Sequence, residues 1–213
     1  MKPAFPAATQ GVVFVLDNQD SFTYNLVDEF AQQGFHVEVF RNTLPLTSLL
    51  EHLTALQQQA EAHQLGPVTL VLSPGPGYPA QAGQLMPLIN ACAGRVPMLG
   101  ICLGFQAIVE HFGDNIGPCH SPAHGKSAAI KIHDHALFSG LAQPLQVARY
   151  HSLQARLVPT SLKVIAEFEG IPMAISHQQH AIVGLQFHPE SIMTMTGSQL
   201  LRNCIHFLES QHA

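Results

Sequence analysis

The chain has 213 residues, 46% of them apolar, and a formal charge of −5, and a length of that order buries roughly 70% of its unfolded surface as one domain. Nine Lys and Arg residues without a basic run leave no footprint for a phosphate backbone, and apolar runs no longer than those at 12–16 and 68–72 fall far short of the roughly 20 residues that span a bilayer, so neither nucleic acid nor a membrane is an expected partner. Cys92, Cys102, Cys119 and Cys204 are too scattered for a disulfide scaffold and contain no C-x-x-C pair, which predicts a reducing cytoplasmic location and no metal site.

Residues 1–10 hold two prolines and no apolar stretch of about 7–15 residues, so they fail as a signal peptide and read as a short flexible extension to a single domain over 11–213. The domain opens with a β-branched strand at 12–16. A helix over 22–33 follows, with Phe22, Leu26, Val27 and Phe30 at helical spacing and Gly34 closing it. The cycle repeats: strand 36–40, helix 47–63 with Leu49, Leu50, Leu53 and Leu56 on one stripe, strand 68–72, a Pro/Gly loop at 73–80, helix 84–93, strand 97–101 and helix 103–112. Strands alternating with helices predict an α/β fold, a doubly wound, mostly parallel sheet with helices on both faces. After Gly113 the pattern changes to short β segments at 129–132, 145–150, 163–169, 173–176 and 182–187, then a helix over 198–210. These predict a short-stranded antiparallel extension that supplies hairpins and loops to the functional edge of the sheet. Ligands of open α/β sheets bind at the carboxyl ends of the strands, which directs attention to 17–24, 73–79 and 100–106.

Gly100-Ile101-Cys102-Leu103-Gly104 has the spacing of a nucleophile elbow with Cys in place of Ser, at a strand-to-helix junction. Glycines two residues either side permit the sharp turn, and the free N–H groups of the following helix favour a thiolate. A lone cysteine is usually a buried small hydrophobe; this frame makes Cys102 a nucleophile, whereas the other three cysteines lack it. Its base is sought at Phe187-His188-Pro189-Glu190. Proline biases His188 toward extended backbone, where residues two apart share a side, so Glu190 can lie beside the imidazole and orient it. H-x-E also occurs in zinc deaminases, but these need a downstream P-C-x-x-C that is absent here. Gly75, Pro76 and Gly77 lie in a stiff loop that can present oxyanion-hole N–H groups or simply connect a strand to a helix.

Together these segments resemble the triad-type (class I) glutamine amidotransferases, in particular the amidotransferase subunits serving anthranilate synthase and aminodeoxychorismate synthase. The resemblance spans 13 to about 208 and rests on six stretches in order: 17–26, 72–77, 100–104, 124–126, 149–153 and 186–191. It implies a flavodoxin-like sheet and a thiol glutaminase. Cys102 would attack the side-chain amide of L-glutamine to form a γ-glutamyl thioester, His188 would protonate the departing ammonia and then activate water, and Glu190 would orient His188. It further implies an oxyanion hole from the N–H groups of Gly75 and Leu103, and a substrate grip by Gln106 and the backbone of Ser152 and Leu153. Ammonia would pass to a chorismate-binding large subunit; no cofactor is expected in this chain, and Mg2+ only in that partner. Segments 17–25 and 124–126 are candidates for the partner-facing surface. Departures from the pattern are Phe105, where His is common, Leu185, and Ile192-Met193-Thr194; none touches the triad. Residues 73–77 and 143–150 look closest to the anthranilate synthase branch. The alternatives are the folate branch, one protein shared by both, a catalytically silent regulatory module, and a thiol peptidase or γ-glutamyl hydrolase on the same scaffold.

Overall fold

Alternating apolar residues of the first strand divide the core in two. A computed structural model of the chain describes residues 5, 6 and 8–212. In β1 (Val12–Asp17), Val13 and Val15 face one side and Val12, Phe14 and Leu16 the other. The first set packs with Leu26 and Phe30 of α1 (Thr23–Gln32) and with Leu200, Leu201, Cys204 and Leu208 of α5 (Gly197–His212). The second packs with α2 (Leu46–Ala62), through Leu49, Leu53 and Leu56, and with α3 (Leu85–Cys92) and α4 (Leu103–His111). Each fully buried Leu or Phe contributes about 1.5–3 kcal/mol, so both faces must be covered. That is the doubly wound arrangement.

The other strands of the first half are β2 (His36–Arg41), β3 (Thr69–Leu72) and β4 (Met98–Ile101). The second half adds β5 (Ile116–Pro118), β6 (Lys126–Ile132), β7 (Leu145–Arg149), β8 (Leu153–Ala155), β9 (Leu162–Phe168), β10 (Ile171–His177) and β11 (Ile182–Leu185). The main sheet runs β2-β1-β3-β4-β11-β10-β9-β6-β7. Strands β2 to β11 in that order are parallel; β10, β9, β6 and β7 extend the sheet antiparallel.

Three expectations from the sequence need correction. β11 does not join a peripheral hairpin alone: it pairs in parallel with β4, Ile182 opposite Met98 and Leu185 opposite Ile101, so the late segment lies inside the sheet and carries the chain that follows it to Cys102. β11 also stops at Leu185, two residues before the expected end, because the chain bends there and His188 bridges to Ala148 instead. β5 and β8 were not expected; three residues each, paired only with one another, they carry no readable periodicity. The flexible extension expected over 1–10 falls in part on residues 1–4 and 7, outside the described residues. Of the rest, Phe5 packs on the rings of His36 and His63, and the Gln10 N–H donates to Gly34 O at 2.9 Å. No helix among the described residues is long and apolar enough to cross a membrane.

Candidate active site

Cys102 connects the end of β4 to the start of α4 with φ 51° and ψ −96°, a left-handed conformation that costs a non-glycine residue about 1–3 kcal/mol and persists only where the surroundings enforce it. The surroundings do so through close packing. A Cβ on Gly104 would run into the backbone of Leu72, and one on Gly100 would come within 2.5 Å of the Gly104 carbonyl, so the two glycines let α4 lie against β3 and β4. The Cys102 N–H donates to Leu185 O at 2.8 Å, and Cys102 O accepts from the Gln106 N–H at 3.0 Å, which leaves the N–H groups of the first helical turn free. Phe105, the departure noted above, is fully buried against Gly184.

His188 and Glu190 meet, but not along a strand. His188 sits in an isolated bridge to Ala148, the chain turns at Pro189 and Glu190, and the Ser191 N–H reaches back to His188 O at 3.3 Å. The turn places Glu190 Oε1 2.6 Å from His188 Nδ1 with both side chains buried. Thr194 holds this turn, its hydroxyl donating to His188 O at 2.7 Å and accepting from the Ala148 N–H at 2.9 Å. Rings of Phe22 and Tyr150 flank the imidazole at 5.2 Å. Burial opposes a charge on His188, but its interactions with Cys102 and Glu190 outweigh burial and hold its pKa well above the usual histidine value. Glu190 occupies His188 Nδ1, and Nε2 has no oxygen or nitrogen partner among the described residues, which leaves Nε2 for proton transfer.

A cavity of about 150 Å³ lies beside Cys102, walled by Gly75, Pro76, Gly77, Gln106, Tyr150, His151, Ser152 and Leu153. This volume is below the roughly 300–1,000 Å³ of drug-sized sites and suits one small polar molecule. Of the residues predicted from sequence for substrate contact, Leu103 alone is not in the wall. Its side chain instead packs against Gly75, while its N–H is the first of the free donors of α4.

Gly75 is confined on both sides: an added Cβ would lie 2.5 Å from Leu103 Cδ2 and 2.7 Å from Asn18 Cβ. Asn18 in turn holds the loop, its N–H donating to Ser73 Oγ at 2.8 Å and its amide to Ser73 O at 2.9 Å. Segment 17–25, a candidate for the partner-facing surface, also supports the site loop: Asp17, Asn18 and Thr23 are buried, while Gln19, Ser21, Tyr24 and Asn25 are exposed, as are residues 124–126. Gly75→Ala is expected to push the loop away from Cys102 and lower turnover at this thiol about 100-fold or more, the scale of one lost N–H donor, and steady-state rates over half of wild type would remove this loop from the chemistry.

Three contributors to the site were not expected from the sequence. Gln186 is fully buried and reaches both Gln106 and Cys102. His151 donates from Nδ1 to Leu153 O at 2.9 Å and accepts at Nε2 from Arg149 Nε at 3.2 Å, which fixes the loop carrying Ser152 and Leu153. Burial pushes the His151 pKa down to about 4, with Arg149 and His188 adding to the effect and the Leu153 carbonyl opposing it, so it works as a neutral strut. Thr194 is the third. His151 and Gln186 fall in two of the matching stretches, 149–153 and 186–191, without a role read for them, and Thr194 has no local signal that separates it from an ordinary polar residue.

The profile described as glutamine amidotransferase class-I matches residues 14–207. The chain is 45% identical over 203 residues to anthranilate synthase component 2 of Vibrio parahaemolyticus, covering 95% of this chain and 98% of that one. It is also 45% identical over 196 residues to anthranilate synthase component 2 of Haemophilus influenzae, covering 92% and 97%. Among solved structures, a glutamine amidotransferase from Thermotoga maritima superposes with a TM-score of 0.68 at 15% identity, covering 94% of this chain and 99% of that one, a likeness of fold.

Proposed function

The chain belongs to the class I glutamine amidotransferases, and from that premise we propose that it is the glutaminase subunit of an anthranilate synthase, with Cys102, His188 and Glu190 as its triad. The near full-length identity to proteins of that name carries the reading. The Cys102 turn, the buried His188–Glu190 pair and the adjoining small cavity support it.

In this mechanism glutamine enters the cavity with its side-chain amide at Cys102. The thiol gives its proton to His188 and the sulfur attacks the amide carbon. The resulting oxyanion accepts hydrogen bonds from Gly75 and Leu103, each such donor being worth about 2.7–4 kcal/mol of barrier. As the C–N bond breaks, His188 returns the proton to nitrogen and ammonia departs. Water then attacks the γ-glutamyl thioester with His188 as base, releasing glutamate and the thiol. Glu190 keeps the Nδ1 proton in place throughout, so that Nε2 does the transfer.

Ammonia passes to a chorismate-binding large subunit in a cytoplasmic heteromeric complex, where anthranilate forms for tryptophan biosynthesis. We assign no cofactor to this chain and leave Mg2+ to the large subunit. A cleft of about 370 Å³ is lined by Glu190 together with Asn25, Asp28, Glu29 and the highly exposed Ile192 and Met195; two exposed apolar side chains next to the triad suit a covering subunit. The test is to mix the chain separately with large subunits of anthranilate synthase and aminodeoxychorismate synthase, with chorismate and glutamine. Anthranilate formation alone is expected. Product with the folate enzyme alone would overturn the branch, product with both would mean one protein serving two pathways, and product with neither, together with no glutaminase activity, would overturn the reading.

A further inference from the structure

Gln186 is the first residue after β11 and is held by its backbone rather than by its side chain. Its N–H donates to Met173 O in β10 at 2.9 Å, while the preceding carbonyl, Leu185 O, accepts from the Cys102 N–H at 2.8 Å. The side-chain amide is thereby delivered, fully buried, into the space between α4 and the nucleophile. There it makes two contacts: Nε2 lies 3.7 Å from Cys102 Sγ, within reach for a sulfur acceptor, and Oε1 accepts from Gln106 Nε2 at 3.2 Å.

A side-chain amide can be turned over, so its orientation must be argued from chemistry. A sulfur that becomes anionic during reaction favours a donor and repels an acceptor. The –NH2 of Gln186 therefore faces Cys102, and its oxygen is left for Gln106. That oxygen requires a donor in return, which turns the –NH2 of Gln106 inward and leaves Gln106 Oε1 as the atom offered to the cavity that Gln106 lines. Only an acceptor there can receive a substrate ammonium.

We propose that Gln186 is a catalytic and orienting residue of the glutaminase site, donating a hydrogen bond to the Cys102 sulfur while fixing the amide of Gln106 so that its oxygen reads the α-ammonium of the substrate. The proposal rests on the function given above for the substrate, and on the contact distance together with the preference of an anionic sulfur for a donor at Cys102. It links two tasks otherwise separate: the group that favours the nucleophilic form of the thiol also sets selection for an amino acid over a plain amide.

The test uses Gln186→Met, which keeps the volume and removes both hydrogen bonds, and Gln186→Glu, which keeps the shape and puts an acceptor before the sulfur. Two readouts are taken on the full chain with its large subunit: the pH profile of Cys102 alkylation by iodoacetamide, and kcat/KM for glutamine relative to glutaramate, the analogue lacking the α-amino group. Both variants are expected to move the alkylation profile to higher pH, Gln186→Glu further. Preference for glutamine should fall about tenfold in Gln186→Met, the scale of one hydrogen bond to a charged group. An alkylation profile and preference both within twofold of wild type would overturn the proposal, as would variants that lose only thermal stability. If Gln186→Met does not fold, Gln186→Glu decides. If the wild-type chain turns over no glutamine, the proposed function fails, and the alkylation profiles still decide the Gln186–sulfur contact.

Discussion

Cys102→Ser is expected to lower glutamine-dependent product formation about 10,000-fold or more, in line with removal of a nucleophile that acts as one unit with its base, while synthesis from added ammonium by the large subunit continues. The split between the two nitrogen sources is informative because Cys102 is the point on which the fold concentrates its constraint. It sits at φ 51°, held by the hydrogen bond from its N–H to Leu185 O and by the packing of α4 on β3 and β4. Serine fits the same volume and conformation, so the fold should survive and the loss should be chemical. Parallel assays with glutamine and with ammonium, at equal complex concentration, measure it. Glutamine-dependent activity above a few per cent of wild type would mean that another group attacks the amide.

Glu190→Gln is expected to reduce glutamine turnover about 100- to 10,000-fold, the range in which loss of an orienting carboxylate falls when its histidine adopts the wrong tautomer. An amide at position 190 can donate to Nδ1, which would place the ring proton on Nε2 and occupy the atom that must accept the thiol proton. The pH behaviour follows from the same pair. Burial, the largest single influence, lowers the His188 pKa, and the combined opposing effects of Cys102 and Glu190 outweigh it and raise the value. A pKa higher in the folded than in the unfolded chain contributes stability that is complete below the unfolded value near 6.5 and fades as pH rises through the folded value. The stability gap between wild type and His188→Asn should thus be widest in mildly acidic solution and close at alkaline pH. Removing the Glu190 charge should move that closure to lower pH. Denaturant midpoints between roughly pH 6 and 10 test the sign; a gap that widened with pH would mean that burial, not pairing, dominates the imidazole.

Local periodicity carried most of the first half of the fold, because each β-strand there is followed by an amphipathic helix that must cover it. Leu49, Leu53 and Leu56 on one stripe and the alternation through residues 12–16 are short-range facts that survive tertiary context. The elbow was legible for the same reason: the glycines that permit the Cys102 turn are its neighbours two residues away. His188 and Glu190 were expected side by side along an extended chain; they do meet, but through a turn at Pro189 and Glu190 that follows the bridge of His188 to Ala148.

The amino-acid sequence by itself determined the alternating architecture, the sharp turn at Cys102 and the pairing of His188 with Glu190, each of which depends on residues within a few positions of one another. Only the tertiary structure decided where β11 enters the sheet, because a run of four apolar residues fits a parallel or an antiparallel neighbour equally well. The same holds for the residues that finish the site. Gln186 meets Cys102 across 84 positions of chain and Thr194 meets Ala148 across 46, and hydrogen bonds closed over such distances exist only once the packed sheet has brought their partners together.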